Sequence, residues 1–343
     1  MTEASWSRID GGDCIRLTGL PAGAHVRVFP GRAVSPETAG GAGGLPSTAG
    51  RLVRDGDDHC FVPRFAFLDG TTYTVTVEGA IAAVLVRALP DRLGVTKVTG
   101  IRPTAAEVPC NLLRFYLQFS APMSEGCAAE YVRLARDDGD NIAGALLPTE
   151  HELWDASRLR LTVLMDPARI KRGLIGHQDG GYPLRPGQPF RLIIGSGFRD
   201  AQGLPLRAPA QHRYHVGGEE RRHVDPSSWV LTAPPAGSSE PLRVTFDRPM
   251  DYGLLARCLQ VSGPDGHPVE GTAQAGHGEQ SWQLAPSRAW ASGQHQLVVD
   301  PLLEDLAGNS VSRVFDRDLS RSEDQPREAG PVTAGFLVAG RQG

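Results

Sequence analysis

The sequence predicts an all-β protein, and two observations predict this fold class. First, 41 glycines and 27 prolines interrupt the chain at intervals of roughly eight to twelve residues, as in proteins built from many short strands. Second, the segments between them alternate apolar and polar residues, as in Thr72–Glu78, Arg114–Phe119 and Arg158–Val163. A period of two places the apolar side chains on one face and indicates half-buried strands. Long helical periodicity is absent, although Ser124 and Asp251 could each cap a single helical turn.

An internal repeat indicates two copies of one β scaffold. At a constant offset of 127 residues, Phe119–Met123 aligns with Phe246–Met250, and the turn Asp138-Gly139 aligns with Asp265-Gly266. Further along, Asp200–Gly203 matches Asp305–Gly308 at an offset of 105. The shared residue types are those of turns: Asp accepts hydrogen bonds from nearby amides, and Gly adopts positive φ. In the same way, proline followed by methionine is expected to end a strand and fill one end of a sandwich.

The first copy is longer than the second by 22 residues up to this turn. Eight extra residues fall near Leu146–Asp155 and fourteen between Pro167 and Phe190, within the segment 168–183, which we call the insertion. A loop present in only one copy of a scaffold is the best candidate for a function that the other copy lacks.

A chain of 343 residues is long enough for two or three separate cores. The repeat predicts an N-terminal β unit over 1–95, a first sandwich over 96–217, a linker over 218–226, a second sandwich over 227–318 and a mobile tail over 319–343. The Gly/Pro-rich stretch Pro36–Gly50 is expected to be a flexible loop. Within the tail, the apolar run Phe336–Val338 could dock as an edge strand.

The repeated marks resemble bacterial Ig-like domains of the S-layer, SbsA-like type. These marks are Phe119–Met123 and Phe246–Met250, followed by Asp200–Gly203 and Asp305–Asn309. The resemblance implies tandem Ig-like β-sandwiches of seven strands each, in a family used for spacers, adhesion modules and accessory domains. The chain departs from the family in carrying the basic insertion and in starting without the basic and apolar layout of a secretory signal, so a cytoplasmic location is the default expectation.

Composition excludes several classes of function. The formal net charge of −4 gives no general basic field, so no nucleic-acid partner is expected. No run of eighteen apolar residues occurs, which excludes a membrane-spanning helix of the usual kind. The five cysteines are scattered and lack a CxxC pair, so we expect reduced, buried thiols rather than a disulfide scaffold or a zinc site.

The candidate binding residues lie in the insertion. Arg169, Lys171, Arg172 and His177 fall within nine residues, and the glycines among them allow backbone access to a ligand. Clustered cations of this kind can hold a carboxylate, a phosphate or an acidic protein surface. The alternative interpretation is a solvated loop whose charges serve solubility.

Other clusters carry weaker signals. Asp137–Asn141 has the acidic density of a calcium loop, but its counterpart in the second copy keeps only the Asp-Gly turn, which favours a hairpin without metal. His212 and His215 are three residues apart on a predicted strand and therefore face opposite sides. His151, in Glu150–Glu152, could join the insertion for acid–base chemistry, or the run could be an exposed loop beside a packed Trp154. No GxSxG, P-loop or HExxH motif occurs, and no cofactor is predicted.

Together these features predict a non-catalytic binding or assembly module with the insertion as its contact surface and a protein or an anionic ligand as its partner. The alternative is an enzyme, or an accessory protein to one, that acts on an anionic small molecule at a pocket near the insertion.

Overall fold

The computed structural model describes residues 2–9, 11–31, 47–88, 94–149, 151–318, 320–327 and 330–340. Most of the predicted loop Pro36–Gly50 and all of Glu150 lie outside these ranges. The chain forms two compact units, Met1–Leu93 and Gly94–Gly343. Nearly all strand pairs in the described residues are antiparallel, and the α-helices there have only four to six residues, so the predicted all-β fold class is confirmed.

The first unit consists of two small sheets around one core. One sheet has the strand order β1–β2–β5–β4 and the other has the order β3–β6–β7. Their alternating residues bury a core that includes Ile15, Val28 and Phe61. The strands are β1 (Glu3–Ile9), β2 (Gly12–Thr18), β3 (Val26–Pro30), β4 (Gly50–Asp55), β5 (Asp58–Pro63), β6 (Thr72–Val77) and β7 (Ala80–Val86).

The first copy of the repeat is a sandwich of two four-stranded sheets, β12–β13–β10–β8 and β11–β14–β15–β9. Its core contains Phe115, Phe190 and Tyr214, which pack ring against ring. Its elements are β8 (Val98–Arg102), β9 (Glu107–Pro109), β10 (Arg114–Phe119), α1 (Ala128–Tyr131), β11 (Val132–Arg136), β12 (Leu153–Trp154), β13 (Arg160–Leu164), α2 (Pro167–Ile170), α3 (Ile175–Gly180), β14 (Phe190–Ile194) and β15 (Ala210–Gly217).

The second copy is a sandwich of the sheets β16–β17–β20–β19 and β18–β21–β22. Trp282, Leu297 and Val244 lie in its core. Its elements are β16 (Val230–Thr232), β17 (Leu242–Thr245), α4 (Tyr252–Leu255), β18 (Leu259–Ser262), β19 (Gly271–Ala275), β20 (Ser281–Pro286), β21 (Gly293–Val299) and β22 (Val332–Val338). Single 3-10 turns occur at Pro226–Ser228, His277–Glu279 and Ser322–Asp324.

Strand β22 corrects the prediction of a mobile tail from residue 319. It pairs along its whole length with β21 and buries Phe336 and Val338 in the core of the second sandwich. The docking foreseen for Phe336–Val338 therefore extends over seven residues. The second sandwich continues past 318, because its sheet is completed only by this strand.

The repeated turns are built alike in both sandwiches. Met123 and Met250 are buried and form isolated bridges with Asp200 and Asp305 respectively. Each aspartate accepts hydrogen bonds from the amides two and four residues further on, as the turn chemistry predicts. Asp251 also caps α4 as predicted, by accepting a bond from the Leu254 amide.

The prediction for Ser124 is wrong. Helix α1 begins at Ala128, with Cys127 in the capping position and no side-chain cap. The Ser124 hydroxyl instead donates to the carbonyl of Arg199, because this serine lies beside the turn that Asp200 organises.

The first sandwich carries the insertion, and the second sandwich carries an extra segment of its own, in the connection between its last two strands. In the first copy, fifteen residues, 195–209, connect β14 to β15, whereas in the second copy the segment 300–331 connects β21 to β22. We call residues 310–327 of this second connection the strap. The strap lies beyond the last matched turn of the repeat, Asp305–Gly308, so the aligned part of the two copies contains only the insertion of the first copy.

Candidate functional site at the contact between the two sandwiches

The insertion is a compact loop held by its own polar contacts. Asp166 caps α2 by accepting a bond from the Ala168 amide (2.9 Å). Arg169 donates to the carbonyls of Gly180 and Gly181 at the end of α3. His177 Nδ1 donates to the Arg169 carbonyl (2.7 Å), so Arg169 and His177 are brought together, but in contacts that shape the loop.

Lys171 and Arg172 instead contact the strap of the second sandwich. Lys171 Nζ lies 4.7 Å from the centre of the Phe315 ring, a cation–π distance. Arg172 Nε donates to Asp316 Oδ2 at 2.8 Å, and Asp316 is only 10% exposed. The insertion of one copy therefore binds the extra segment of the other, and two predicted ligand-binding cations form part of this contact.

The linker binds the strap as well. The Arg221 guanidinium donates to the Asp324 carboxylate (2.9 Å) and to the carbonyl of Asp316 (2.7 Å). Both side chains of the Arg221–Asp324 pair are almost buried, so the pair is screened less by solvent than a surface ion pair. Arg221 of the linker is thus part of the contact between the two sandwiches.

Two buried carboxylates join the sandwiches directly. Glu279 of the second sandwich is fully buried; it accepts bonds from Arg102 Nη1 (3.1 Å) and from the amide (2.7 Å) and hydroxyl (3.0 Å) of Thr104. Asp251 accepts a bond from the Tyr116 hydroxyl (2.8 Å) and pairs with Arg114. Because these carboxylates are out of water, each depends on the donors of the first sandwich.

Burial raises the pKa of the Tyr116 hydroxyl well above its usual value, and the neighbouring Asp251 carboxylate raises it further. Tyr116 is therefore a neutral donor at physiological pH. A hydroxyl held in this way fixes the orientation of the two sandwiches; it is not poised to release a proton.

A cavity of about 270 Å³ lies where β9, the linker and the turn at Asp305 meet. Arg248 stands between Glu220 (3.0 Å) and Asp305 (3.3 Å). Burial raises the pKa of Asp305 to about 7, against the opposing charge of Arg248. Burial also opposes ionisation of Glu220, but the hydrogen bonds from Arg222 and the charge of Arg248 outweigh it and lower the pKa to about 2. One guanidinium is thus shared by two carboxylates of different acidity.

The outer end of the insertion is apolar and exposed. Ile175 is 75% exposed and Leu174 is 44% exposed. They occupy the start of α3, between the residues that bind the strap and the residues that close the loop. We call this pair the tip. The cations of the insertion were predicted as binding residues and the tip was not, although Leu174 and Ile175 are two adjacent apolar residues flanked by glycines.

His151 lies apart from these contacts. It is exposed, and among the described residues no hydrogen bond, ion pair or ring contact joins it to the insertion. Its neighbour Glu152 accepts bonds from the Ala128 amide at the start of α1 (2.5 Å) and from the Trp154 indole (2.7 Å). Glu152 therefore holds the loop before β12, and the acid–base role suggested for this run stays a prediction for His151 alone.

A second cavity, of about 330 Å³, opens between strands β11 and β12, and none of the five predicted site residues lines it in the part of the chain that the structure describes. The acidic turn at Asp137 is occupied by arginines: Asp137 pairs with Arg213 (2.6 Å) and with Arg191 (3.5 Å). The hydrogen bond from Arg213 holds the pKa of Asp137 below its usual value. These contacts fit the interpretation of a hairpin turn.

Comparison with known proteins gives similarity at the level of solved structures only. No protein-family model and no curated protein matches the chain. Similar structures include the S-layer protein rSbsC (11% identity, 60% of this chain and 23% of that chain, TM-score 0.25) and the extracellular region of plexin A4 (9%, 92% and 33%, 0.25). The titin Ig tandem domains A164–A165 align with 72% of this chain and 98% of theirs (9% identity, TM-score 0.21).

The chain thus spans less than two thirds of the S-layer and plexin chains that it matches. The first and second copies of the repeat are two-sheet β-sandwiches in tandem. Among the described residues, no helix is both long and apolar enough to cross a membrane.

Proposed function

We propose that this chain is a non-catalytic binding or assembly module of the S-layer Ig-like type, whose contact surface is the insertion 168–183. One observation carries the proposal. The insertion is fixed at its base by Arg172 and Lys171, which bind the strap, while Leu174 and Ile175 at its tip stay exposed.

This arrangement favours binding for an energetic reason. Ordering a loop at the moment of association costs conformational entropy, and a loop that is already fixed avoids most of this cost. Exposed apolar side chains on a rigid support are typical of protein contact surfaces, whereas scattered ones are common and uninformative. Leu174 and Ile175 are adjacent and lie on a loop that is held at both ends.

A protein partner with an apolar pocket fits the tip better than a small anion does. An anion bound by Arg172 would compete with Asp316, which is nearly buried and already paired. Arg169 would likewise have to give up its bonds to the carbonyls at the end of α3. In this proposal the cations keep the loop in place, and the apolar pair makes the contact.

Site-specific photo-crosslinking in the native host tests this proposal. A photoreactive phenylalanine analogue at position 175 is compared with the same analogue at position 302, because Leu302 is also exposed (60%) but lies outside the insertion. We expect a discrete protein adduct from position 175, absent from position 302 and lost when Leu174→Asp is added. Arg169, Lys171 and Arg172 are left unchanged, since their loss would disturb the loop itself.

Equal adducts at both positions, or an adduct at 175 that is insensitive to Leu174→Asp, would overturn the proposal. A circular dichroism spectrum and a melting curve for each variant establish that the fold is kept. Because Leu174 and Leu302 are both exposed leucines, Leu302→Asp serves as the matched control for the added charge.

A further inference from the structure

The last strand of the second sandwich has an outer edge that the described chain leaves largely unpaired. Strand β22 is the edge of the sheet β18–β21–β22. The equivalent strand of the first sandwich, β15, is covered at its end by a parallel ladder with β9. At the repeat offset of 127, the residues that correspond to Glu107 and Val108 of β9 are Pro234 and Pro235. Proline has no N–H to donate, so no such ladder forms, and a single bond joins the Ala236 amide to the Ala339 carbonyl (2.9 Å).

This single bond reveals which residues of β22 face the open edge. The N–H and C=O groups of one residue point to the same side of a strand, and the side alternates from residue to residue. Since the Ala339 carbonyl points away from β21, the backbone groups of Leu337, Gly335 and Thr333 do so as well. No backbone hydrogen bond reaches these three residues from another segment in the described ranges. The 3-10 turn Pro226–Ser228 packs near β22 without bonding to this edge.

The strand also lacks the usual protection of an exposed edge. Natural edge strands are commonly blunted by charged residues, by proline or by a bulge. The segment Val332–Val338 contains no charged residue and no proline, and its pairing with β21 is regular over all seven residues. Thr333, Gly335 and Leu337 are exposed, whereas Phe336 and Val338 reach into the core. These properties are typical of a strand that accepts another strand.

We propose that β22 pairs antiparallel with β22 of a second copy of this chain, about a twofold axis at Gly335. In this register Thr333 stands opposite Leu337 of the second copy, and the two Gly335 residues face each other. The three outward-facing residues of each strand would exchange six backbone hydrogen bonds. The two three-stranded sheets would then form one continuous sheet of six strands.

The sequence of the strand fits a second copy in this register. On the core side, Ala334 stands opposite Phe336, so a small side chain meets a large one, and no like charges face each other. The ladder between the two copies ends at the same pair on both sides, Pro331 with Ala339. Pro331 has no N–H that would be left without a partner there, and the Ala339 carbonyl already accepts a bond from the Ala236 amide.

The dimer should be weak, because pairing along one strand of seven residues is a small contact and small interfaces, below roughly 1,200 Å², are typically weak or transient. Sedimentation velocity of the full chain over a wide concentration range tests it. We expect the sedimentation coefficient of the wild type to rise with concentration from the monomer value towards that of a dimer. The double variant Thr333→Lys with Leu337→Lys should lose this rise, because two pairs of lysines would then face each other across the axis.

A third protein tests the register itself. In the variant Thr333→Lys with Leu337→Glu, each lysine stands opposite a glutamate of the second copy, so the rise should return. Leu302→Lys is the matched control for a charge placed on an exposed leucine elsewhere, and it should sediment as the wild type does. The melting temperature of each variant establishes that the exposed changes leave the fold intact.

A wild type that stays monomeric at the highest concentrations, or a lysine double variant that dimerises like the wild type, would overturn the proposal. So would a Thr333→Lys, Leu337→Glu variant that fails to dimerise, because the register would then be wrong. If the edge instead accepts a strand of a different protein, the wild type alone is monomeric, and this outcome also refutes pairing between copies. The inference is independent of the contact surface proposed for the insertion, since the two surfaces share no residue.

Discussion

The two turn glycines Gly203 and Gly308 occupy equivalent positions of the repeat, so one substitution can measure how tightly the sandwiches contact each other. Both have positive φ, +80° and +78°. Around Gly203, nothing lies within 4 Å of the position that a Cβ atom would take. At Gly308 the same atom would overlap Leu113 Cδ1 of the first sandwich and lie 3.3 Å from Phe315 Cβ.

The expected costs follow from these surroundings. An L-residue at positive φ costs about 1–2 kcal/mol, and this is the whole cost for Gly203→Ala. Gly308→Ala carries the same backbone cost and adds overpacking of a closed contact, which is about 1–3 kcal/mol. Leu113 is buried and its amide is bonded to the Leu306 carbonyl (3.0 Å), so it has little freedom to move away.

Urea unfolding followed by tryptophan fluorescence measures both free energies of unfolding, and an unchanged denaturant slope shows that the unfolding transition itself is unaltered. Gly308→Ala should be less stable than Gly203→Ala by about 1–3 kcal/mol. In the Gly308→Ala background, Leu113→Ala should cost less than it does in the wild type, because it removes the overlapping atom. Equal stability of the two alanine variants, together with additive costs, would refute the close contact at Gly308.

Three further predictions concern the buried polar groups. Glu279→Ala should lower the free energy of unfolding by about 3–5 kcal/mol, as expected when one partner of a buried ion pair is removed. A double-mutant cycle with Arg102→Ala should give a clear coupling energy, and a coupling energy near zero would contradict the pairing. Glu220 has a pKa of about 2 in the folded chain against 4.5 for a free glutamate. The ionised Glu220 therefore contributes up to about 3 kcal/mol to the free energy of unfolding. This contribution is present above pH 4.5 and is lost as the pH falls towards 2. Glu220→Gln should flatten this part of the curve of stability against pH, and an unchanged curve would contradict the prediction. Finally, burial raises the pKa of Cys110 to about 11, so during iodoacetamide labelling at about pH 8, mass spectrometry should find the half-buried Cys127 modified before Cys110.

The predicted strands show how far local patterns determine this fold. The alternating run predicted from Arg114 to Phe119 is strand β10 with those same limits, because side chains on a strand alternate between two environments whatever the strand pairs with. The Asp-x-x-Gly turns were equally predictable, since their hydrogen bonds join residues two to four positions apart. Ser124 failed as a helix cap because a serine satisfies its hydroxyl with whichever carbonyl is nearest, here that of Arg199.

The candidate site was only partly predictable. The insertion could be predicted, because an interruption of a repeat is visible in the chain itself. Arg172 and Lys171 were expected to bind a ligand, and the contacts that they make with Asp316 and Phe315 of the strap could not be foreseen. Arg172 and Asp316 are separated by 144 residues, and no local pattern marks a partner at that distance.

The sequence by itself therefore determined the all-β class, the two copies of the scaffold and the place where the first copy is interrupted, because period, turn chemistry and repetition are local properties of the chain. Only the tertiary structure decided that the insertion meets the strap, that buried Glu279 and Asp251 join the two sandwiches, and that Val332–Val338 completes the second sandwich as an edge strand. Each of these depends on a pairing of distant segments. Such a pairing is selected by the burial of a whole face and by the matching of buried charges with donors, and these conditions exist only after the chain has folded.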